Sequence, residues 1–219
     1  MEIQLFTSKN QTITFESQPF ASGGEGNIHR IKAPKNYQDK CVKLYFEEYC
    51  TPEKEQKTLF QVENPPQNLS NSNFIVCWPI EMVYRAENQL LQFAGFIMPL
   101  AYPNSQQLYE LCLPNIKQSL QDVLHQKFNR TTKEGMIARF KLCVNIAIAI
   151  HAIHSSKQYV LVDAKPQNIS FTPNGQIAVT DVDSIQINDL VGNVIHHAAV
   201  ATPEYIPSEG QNGILLPTT

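Results

Sequence analysis

Short runs of alternating or β-branched apolar residues, set between polar and Gly-rich turns, occupy the first hundred positions. Ile3–Leu5, Thr12–Phe15 and Ile28–Ile31 read as strands, and Cys41–Phe46 as another. Thr51-Pro52-Glu53 predicts a helix start: a capping hydroxyl, proline in the first turn and acids near the positive end. The helix should stop before Asn64-Pro65-Pro66, where proline cannot continue it. Two more strands are expected near Ile75–Tyr84 and Gln89–Met98.

After Pro99 the period lengthens. Ile116–Phe128 and Ile137–His154 read as helices. The second is apolar on several faces (Phe140, Leu142, Val144, Ile146, Ile148, Ile150, Ile153) and is expected to be buried on most sides. Ile169–Phe171, the turn Pro173-Asn174-Gly175 and Ile177–Thr180 read as a β-hairpin. No internal repeat or low-complexity tract interrupts the chain.

Composition narrows the classes. With 42% hydrophobic residues among 219, there is enough apolar material for a core, which excludes a disordered or acidic solvating segment. Seventeen basic and 20 acidic residues give a net charge of −3, so no global field draws the chain to nucleic acid or anionic lipid. The five cysteines (Cys41, Cys50, Cys77, Cys112, Cys143) are odd in number and never spaced as CxxC, which argues for free thiols in a reducing compartment. The start lacks the basic and apolar regions of a signal peptide, and the longest apolar stretch, Val144–Ile153, is too short to span a bilayer and holds His151. A soluble cytoplasmic protein is expected.

Three segments carry candidate chemistry. Ala21-Ser22-Gly23-Gly24-Glu25-Gly26-Asn27-Ile28 could let backbone N–H groups approach phosphate, or be a ligand-free Gly-rich hairpin; no Gly-Lys-Ser/Thr follows it. Lys43 sits among apolar strand residues, where it either snorkels to solvent or meets an anion; Glu53 and Glu55 follow on the predicted helix as carboxylates that could hold it. Asp163, Lys165 and Asn168 put a proton acceptor, a cation and an amide on one loop, and Asp181 after the next hairpin adds a hard oxygen ligand for Mg²⁺. His154, the pair His196-His197 and Trp78 read as structural or loop residues.

With these residues in place, the chain resembles the eukaryotic-like protein kinase superfamily nearly end to end. Asp163-x-Lys165-Pro166-x-Asn168 stands at the catalytic loop, Asp181-Val182-Asp183 at the Asp-Phe-Gly position and Pro207-Ser208-Glu209 at Ala-Pro-Glu. The resemblance implies an α+β, bilobal protein-kinase-like fold: residues 1–99 as an N-lobe of five strands and helix C, residues 100–219 as a helical C-lobe incomplete at its C-terminal end. It implies ATP with Mg²⁺ or Mn²⁺ as cofactors. Ala21, Gly23, Gly24, Gly26, Ile28, Met98, Pro99 and Ala101 would line the nucleotide, with Ala101 N–H as the adenine donor. Lys43 would hold the phosphates, aimed by Glu55, Asp163 would act as base with Lys165 beside the γ-phosphate, and Asn168 and Asp181 would hold metal. The implied activity is transfer to Ser or Thr of a protein; a pseudokinase scaffold and a small-molecule kinase are the rivals.

The Gly-Gly-Glu-Gly loop and Asp-Val-Asp-Ser run look closest to atypical bacterial kinases, which implies a phosphatase and a von Willebrand-type protein as partners. Leu161-Val162 replaces the His-Arg of the family before the catalytic aspartate, so no obligatory activation-loop phosphorylation is expected. Asp183 replaces the motif glycine; it is either a further metal ligand or a solvated turn residue, and the solvated turn is expected.

Overall fold

The computed structural model describes residues 5–87, 90–113, 124, 126–198 and 202–205. In chain order its strands and α-helices are β1 (Leu5–Thr7), β2 (Thr12–Phe15), β3 (Ala21–Ser22), β4 (Gly26–Ala33), β5 (Lys40–Tyr45), α1 (Pro52–Glu63), β6 (Phe74–Val76), β7 (Glu81–Glu87), β8 (Leu90–Pro99), β9 (Gln106–Gln107), α2 (Tyr109–Cys112), α3 (Lys133–His154), β10 (Tyr159–Val160), β11 (Ile169–Phe171), β12 (Ile177–Val179), β13 (Gln186–Asn188) and β14 (Val194–His196). They fall into two compact units. One is Met1–Pro65 with Trp78–Leu100, the other Pro66–Cys77 with Ala101–Thr219.

The first unit is a sheet of seven strands in the order β2-β1-β7-β8-β5-β4-β3, closed on itself by a further β2–β4 pairing. The residue pattern predicts six strands over the first hundred positions and the family resemblance five; the strand neither foresaw is β3, two residues long and paired with the start of β4. Alternation along the strands divides the sheet into two faces. One buries Leu5, Ile13, Ile31, Val42, Leu44, Val83 and Ile97 as a contiguous core. The other carries Lys43 and Tyr45. Helix α1 packs against β7 and β8. It begins as its sequence requires, with Thr51 Oγ1 accepting the Lys54 N–H at 3.2 Å and Pro52 in the first turn. It ends at Glu63, before the proline pair. Trp78, 1% exposed, donates its indole N–H to Gln61 O at 3.0 Å and locks the end of α1 to this unit.

A buried carboxylate supports the sheet from below. Glu81, 2% exposed, accepts the Tyr37 hydroxyl at 2.5 Å and faces Lys9 at 3.4 Å. Burial would raise its pKa, but the hydrogen bonds from Tyr37 and Thr7 and the Lys9 charge outweigh it and hold the group below its usual 4.5. The folded value being depressed, the stabilisation is present above 4.5 and is lost as pH falls through the folded pKa. Tyr37→Phe should therefore cost about 2 kcal/mol at neutral pH. Urea titrations should show that deficit shrinking below pH 4.5; a deficit independent of pH would show that the carboxylate is not the source.

The second unit holds two small sheets, β6-β12-β11-β9 and β10-β13-β14. The predicted strand over 75–84 is in fact two. β6 runs parallel to β12 in the second unit, β7 belongs to the first, and Pro79 between them lacks the N–H a continuous ladder would need. The predicted hairpin forms with Ile169 opposite Val179 and Phe171 opposite Ile177, and Gly175 takes the left-handed φ of +82° that its turn requires. This unit is thus less purely helical than expected among the described residues. Most of the predicted helix Ile116–Phe128 lies outside them, as do Pro207-Ser208-Glu209 and the segment that follows.

Helix α3 begins four residues earlier than predicted, capped by Thr132 Oγ1 on the Gly135 N–H at 3.1 Å. At 22 residues, about 33 Å, it is long and apolar enough to cross a bilayer on length and composition alone, contrary to the reading of Val144–Ile153 as too short. In this fold it packs along β6, β10 and β12. Its burial was overestimated. Leu142, Ala149 and Ile153 are buried, whereas Phe140 is 64%, Val144 56% and Ile148 45% exposed. A helix apolar all round buries only the stripe that meets a neighbour, and here the neighbouring strands cover one side.

Candidate active site

The loop after β10 wraps the second unit's chemistry around one carboxylate. Val162-Asp163-Ala164 leads into a 3-10 turn at Pro166–Asn168, with Lys165 N–H on Asp163 O at 2.9 Å and Asn168 N–H on Lys165 O at 3.0 Å. Asp163, 3% exposed, accepts Lys165 Nζ at 2.6 Å and Asn168 Nδ2 at 3.0 Å on Oδ2, and the Thr202 hydroxyl at 2.6 Å on Oδ1. Lys165 Nζ also lies 3.5 Å from Thr202 Oγ1. Burial would raise the pKa of Asp163, but the hydrogen bonds from Lys165, Thr202 and Asn168 and the Lys165 charge prevail and keep it below the usual 3.8. The carboxylate is ionised at neutral pH and already receives an alcohol.

Asn168 donates Nδ2 to both the backbone and side-chain oxygens of Asp163 at 3.0 Å, which turns its own Oδ1 away from them. Its carbonyl accepts both the N–H and the hydroxyl of Thr180, at 2.8 and 3.0 Å. That pins the chain one residue before Asp181 to the loop that carries Asp163. Asp181 itself is exposed, with φ +60° and ψ +37°, a left-handed conformation uncommon outside glycine. Ser184 Oγ donates to its carbonyl at 2.9 Å. Among the described residues no three His, Cys, Asp or Glu side chains converge on a metal position. The Asn168 amide oxygen and the Asp181 carboxylate are hard oxygen donors, the type that Mg²⁺ takes.

His154 bonds this loop to α3: its Nε2 accepts the Leu161 N–H at 3.1 Å. Burial and the nearby His151 depress its pKa, so it stays neutral and structural, as expected. Asp183 differs from expectation. It is 2% exposed rather than solvated, because the 3-10 turn Val182–Ser184 folds it inward with its neighbours.

In the first unit, strand register collects the predicted nucleotide residues. Ala21 lies opposite Ile28, Ile28 opposite Lys43, and Met98 opposite Cys41, two residues before Lys43. Cross-strand partners share a face, so Ala21, Ile28, Lys43 and Met98 all lie on the face away from the core. Pro99 ends β8, and Ala101 begins the second unit's second segment. Lys43 is 6% exposed, its ammonium 5.5 Å from the Tyr45 ring centroid.

The glycines separate by role. At Gly26 a Cβ would meet Leu44 O at 2.3 Å, so that glycine serves the β4–β5 approach. A Cβ on Gly24 would meet nothing within 4 Å, and one on Gly23 only Gly26 O at 3.9 Å, so this turn is open to a ligand. Glu55 hydrogen-bonds the Tyr84 hydroxyl, whose pKa rises through burial and that carboxylate. A further ion pair, not among the expected contacts, joins α1 to the glycine turn: Lys54 on the helix meets Glu25 in the turn.

Sequence reading missed this pair and Thr202. Thr202-Pro203 is 39 residues from Asp163, and nothing local marks a hydroxyl for a distant carboxylate.

No protein-family model matches the chain, and no curated protein does. A search of solved structures does find likeness. The ROP18 kinase domain in complex with AMP-PNP and sucrose aligns over 87% of this chain with a TM-score of 0.53 and 15% sequence identity. The chain spans 57% of that domain's length. At this identity the likeness establishes the fold: a kinase-like α+β arrangement with a β-rich N-terminal region and a helical part.

Proposed function

We propose that this chain is an ATP-dependent phosphotransferase, acting on Ser or Thr hydroxyls of a protein with Mg²⁺ as cofactor. One observation carries the reading. Asp163 is held ionised by Lys165 and Asn168 while it accepts an alcohol proton donor, Thr202, at 2.6 Å. That is the arrangement a base needs to orient an acceptor hydroxyl and receive its proton.

Phosphoryl transfer depends on positioning and charge neutralisation more than on covalent chemistry. Lys43 and the open turn at Gly23-Gly24 would hold the triphosphate. Asn168 and Asp181 would hold the metal, which when bound neutralises charge between phosphate oxygens. Lys165 would face the transferred group, and Asp163 would take the proton. The ligand of the structural neighbour, AMP-PNP, is consistent with nucleotide use.

Radiolabel transfer from ATP in the presence of Mg²⁺ tests this. Lys43→Met should lower transfer at least 100-fold by leaving the phosphates unpositioned. Transfer at the wild-type rate in that variant would remove Lys43 from the site. ATP binding without transfer in the wild type would favour the scaffold reading.

A further inference from the structure

The Glu25–Lys54 pair has no part in the transfer step just described, and its significance rests on that reading of the site. The turn from Gly23 to Gly26 is closed by Gly23 N–H on Gly26 O at 2.9 Å, and Ser22 Oγ donates to Asn27 Oδ1 across its base at 2.7 Å. Glu25 is the turn's one charged residue. Its carbonyl accepts the Phe46 N–H at 2.9 Å, which ties its backbone to the end of β5. Its carboxylate takes the Lys54 ammonium.

Surface ion pairs between two flexible side chains contribute little. This one differs in three respects. The side chains are only 12% and 20% exposed, so the charges are shielded from water. The ammonium lies 4.8 Å from the Tyr45 ring centroid and 5.9 Å from that of Tyr49, which gives it aromatic faces as well as a counter-ion. Both ends stand on fixed backbone, Lys54 in the first turn of the capped helix and Glu25 against β5. Tyr45 also lies 5.5 Å from Lys43 Nζ, so one ring stands beside both ammonium groups.

We propose that Glu25 and Lys54 form a latch that fixes the glycine turn to α1 and thereby sets nucleotide affinity. Both are positioning residues. The latch holds the open backbone of Gly23-Gly24 at a constant height, and through Tyr45 it keeps Lys43 in register with the turn.

The test combines two measurements on the full chain: hydrogen exchange of the amides at 22–27 without nucleotide, and calorimetric affinity for ATP–Mg²⁺. Glu25→Gln and Lys54→Met should each speed exchange in the turn and weaken ATP binding about tenfold, equivalent to about 1.4 kcal/mol. In transfer assays the KM for ATP should rise while kcat stays within about twofold. Lys54→Arg keeps the charge and can keep the ring contacts, so it should stay within about threefold of wild-type affinity. Unchanged turn exchange in both single variants overturns the latch, even where transfer itself is confirmed. ATP binding without transfer by the wild type removes the phosphotransferase reading but leaves the latch supported, provided the paired changes in exchange and affinity appear.

Discussion

Asp163→Asn is expected to lower phosphoryl transfer by about 10³-fold while leaving the fold in place. Amide and carboxylate have nearly the same shape, so packing around this buried side chain is kept. In the wild type Oδ2 receives Lys165 and Asn168, and Oδ1 receives Thr202. An asparagine can set its oxygen toward Lys165 and Asn168, leaving its amide nitrogen to donate to Thr202. The network survives with one bond reversed, but the group can no longer accept a proton from an alcohol.

Initial rates with labelled ATP, set beside urea midpoints, separate this from unfolding. A variant within tenfold of wild type would show that another group accepts the proton. The pH profile offers an independent check. The folded pKa of Asp163 lies below 3.8, so the acidic limb of kcat/KM should also fall below that value. Its stabilising contribution follows the same sign, present above 3.8 and lost as pH drops through the folded pKa.

Gly95→Ala should destabilise the first unit by about 4 kcal/mol, from a clash and from positive-φ strain. Gly95 has φ +152°, and a Cβ there would stand 1.9 Å from the carbonyl oxygen of Lys43. It lies opposite Leu44, where β8 approaches β5 and the β7–β8 register slips between Val83 and Tyr84. Backbone, not a flexible side chain, receives the clash, so relief requires moving the strand that carries Lys43. Gly24→Ala is the control: with nothing within 4 Å, its midpoint should stay within about 0.5 kcal/mol of wild type. Equal midpoints for the two variants would mean that β8 shifts without cost and that this contact does not hold Lys43.

What the sequence showed and what it hid follow from distance along the chain. The Thr51 cap, the proline stop after Glu63 and the hairpin over 169–179 are local, and each formed where composition placed it. The Asp163 loop is also local: Asp163, Lys165 and Asn168 lie within six residues, and short turns bring their side chains together. Closure of the sheet through β2–β4 and the parallel pairing of β6 with β12 are contacts between distant segments, invisible to a window of ten residues. The burial of Asp183 and the exposure of Phe140 depend on which neighbours arrive, not on the residues themselves. Lys54 was overlooked because charge order on the helix pointed to the glutamates beside it.

The chain has a single tryptophan, and Trp78 belongs to the first unit, sealed at 1% exposure against the end of α1. Indole emission therefore reports on that unit, whereas far-ultraviolet ellipticity near 222 nm is weighted toward α3 in the other, the longer of the two helices at 22 residues. Recording both signals during one chemical melt asks whether the two units lose structure in one concerted step or separately, with no label attached.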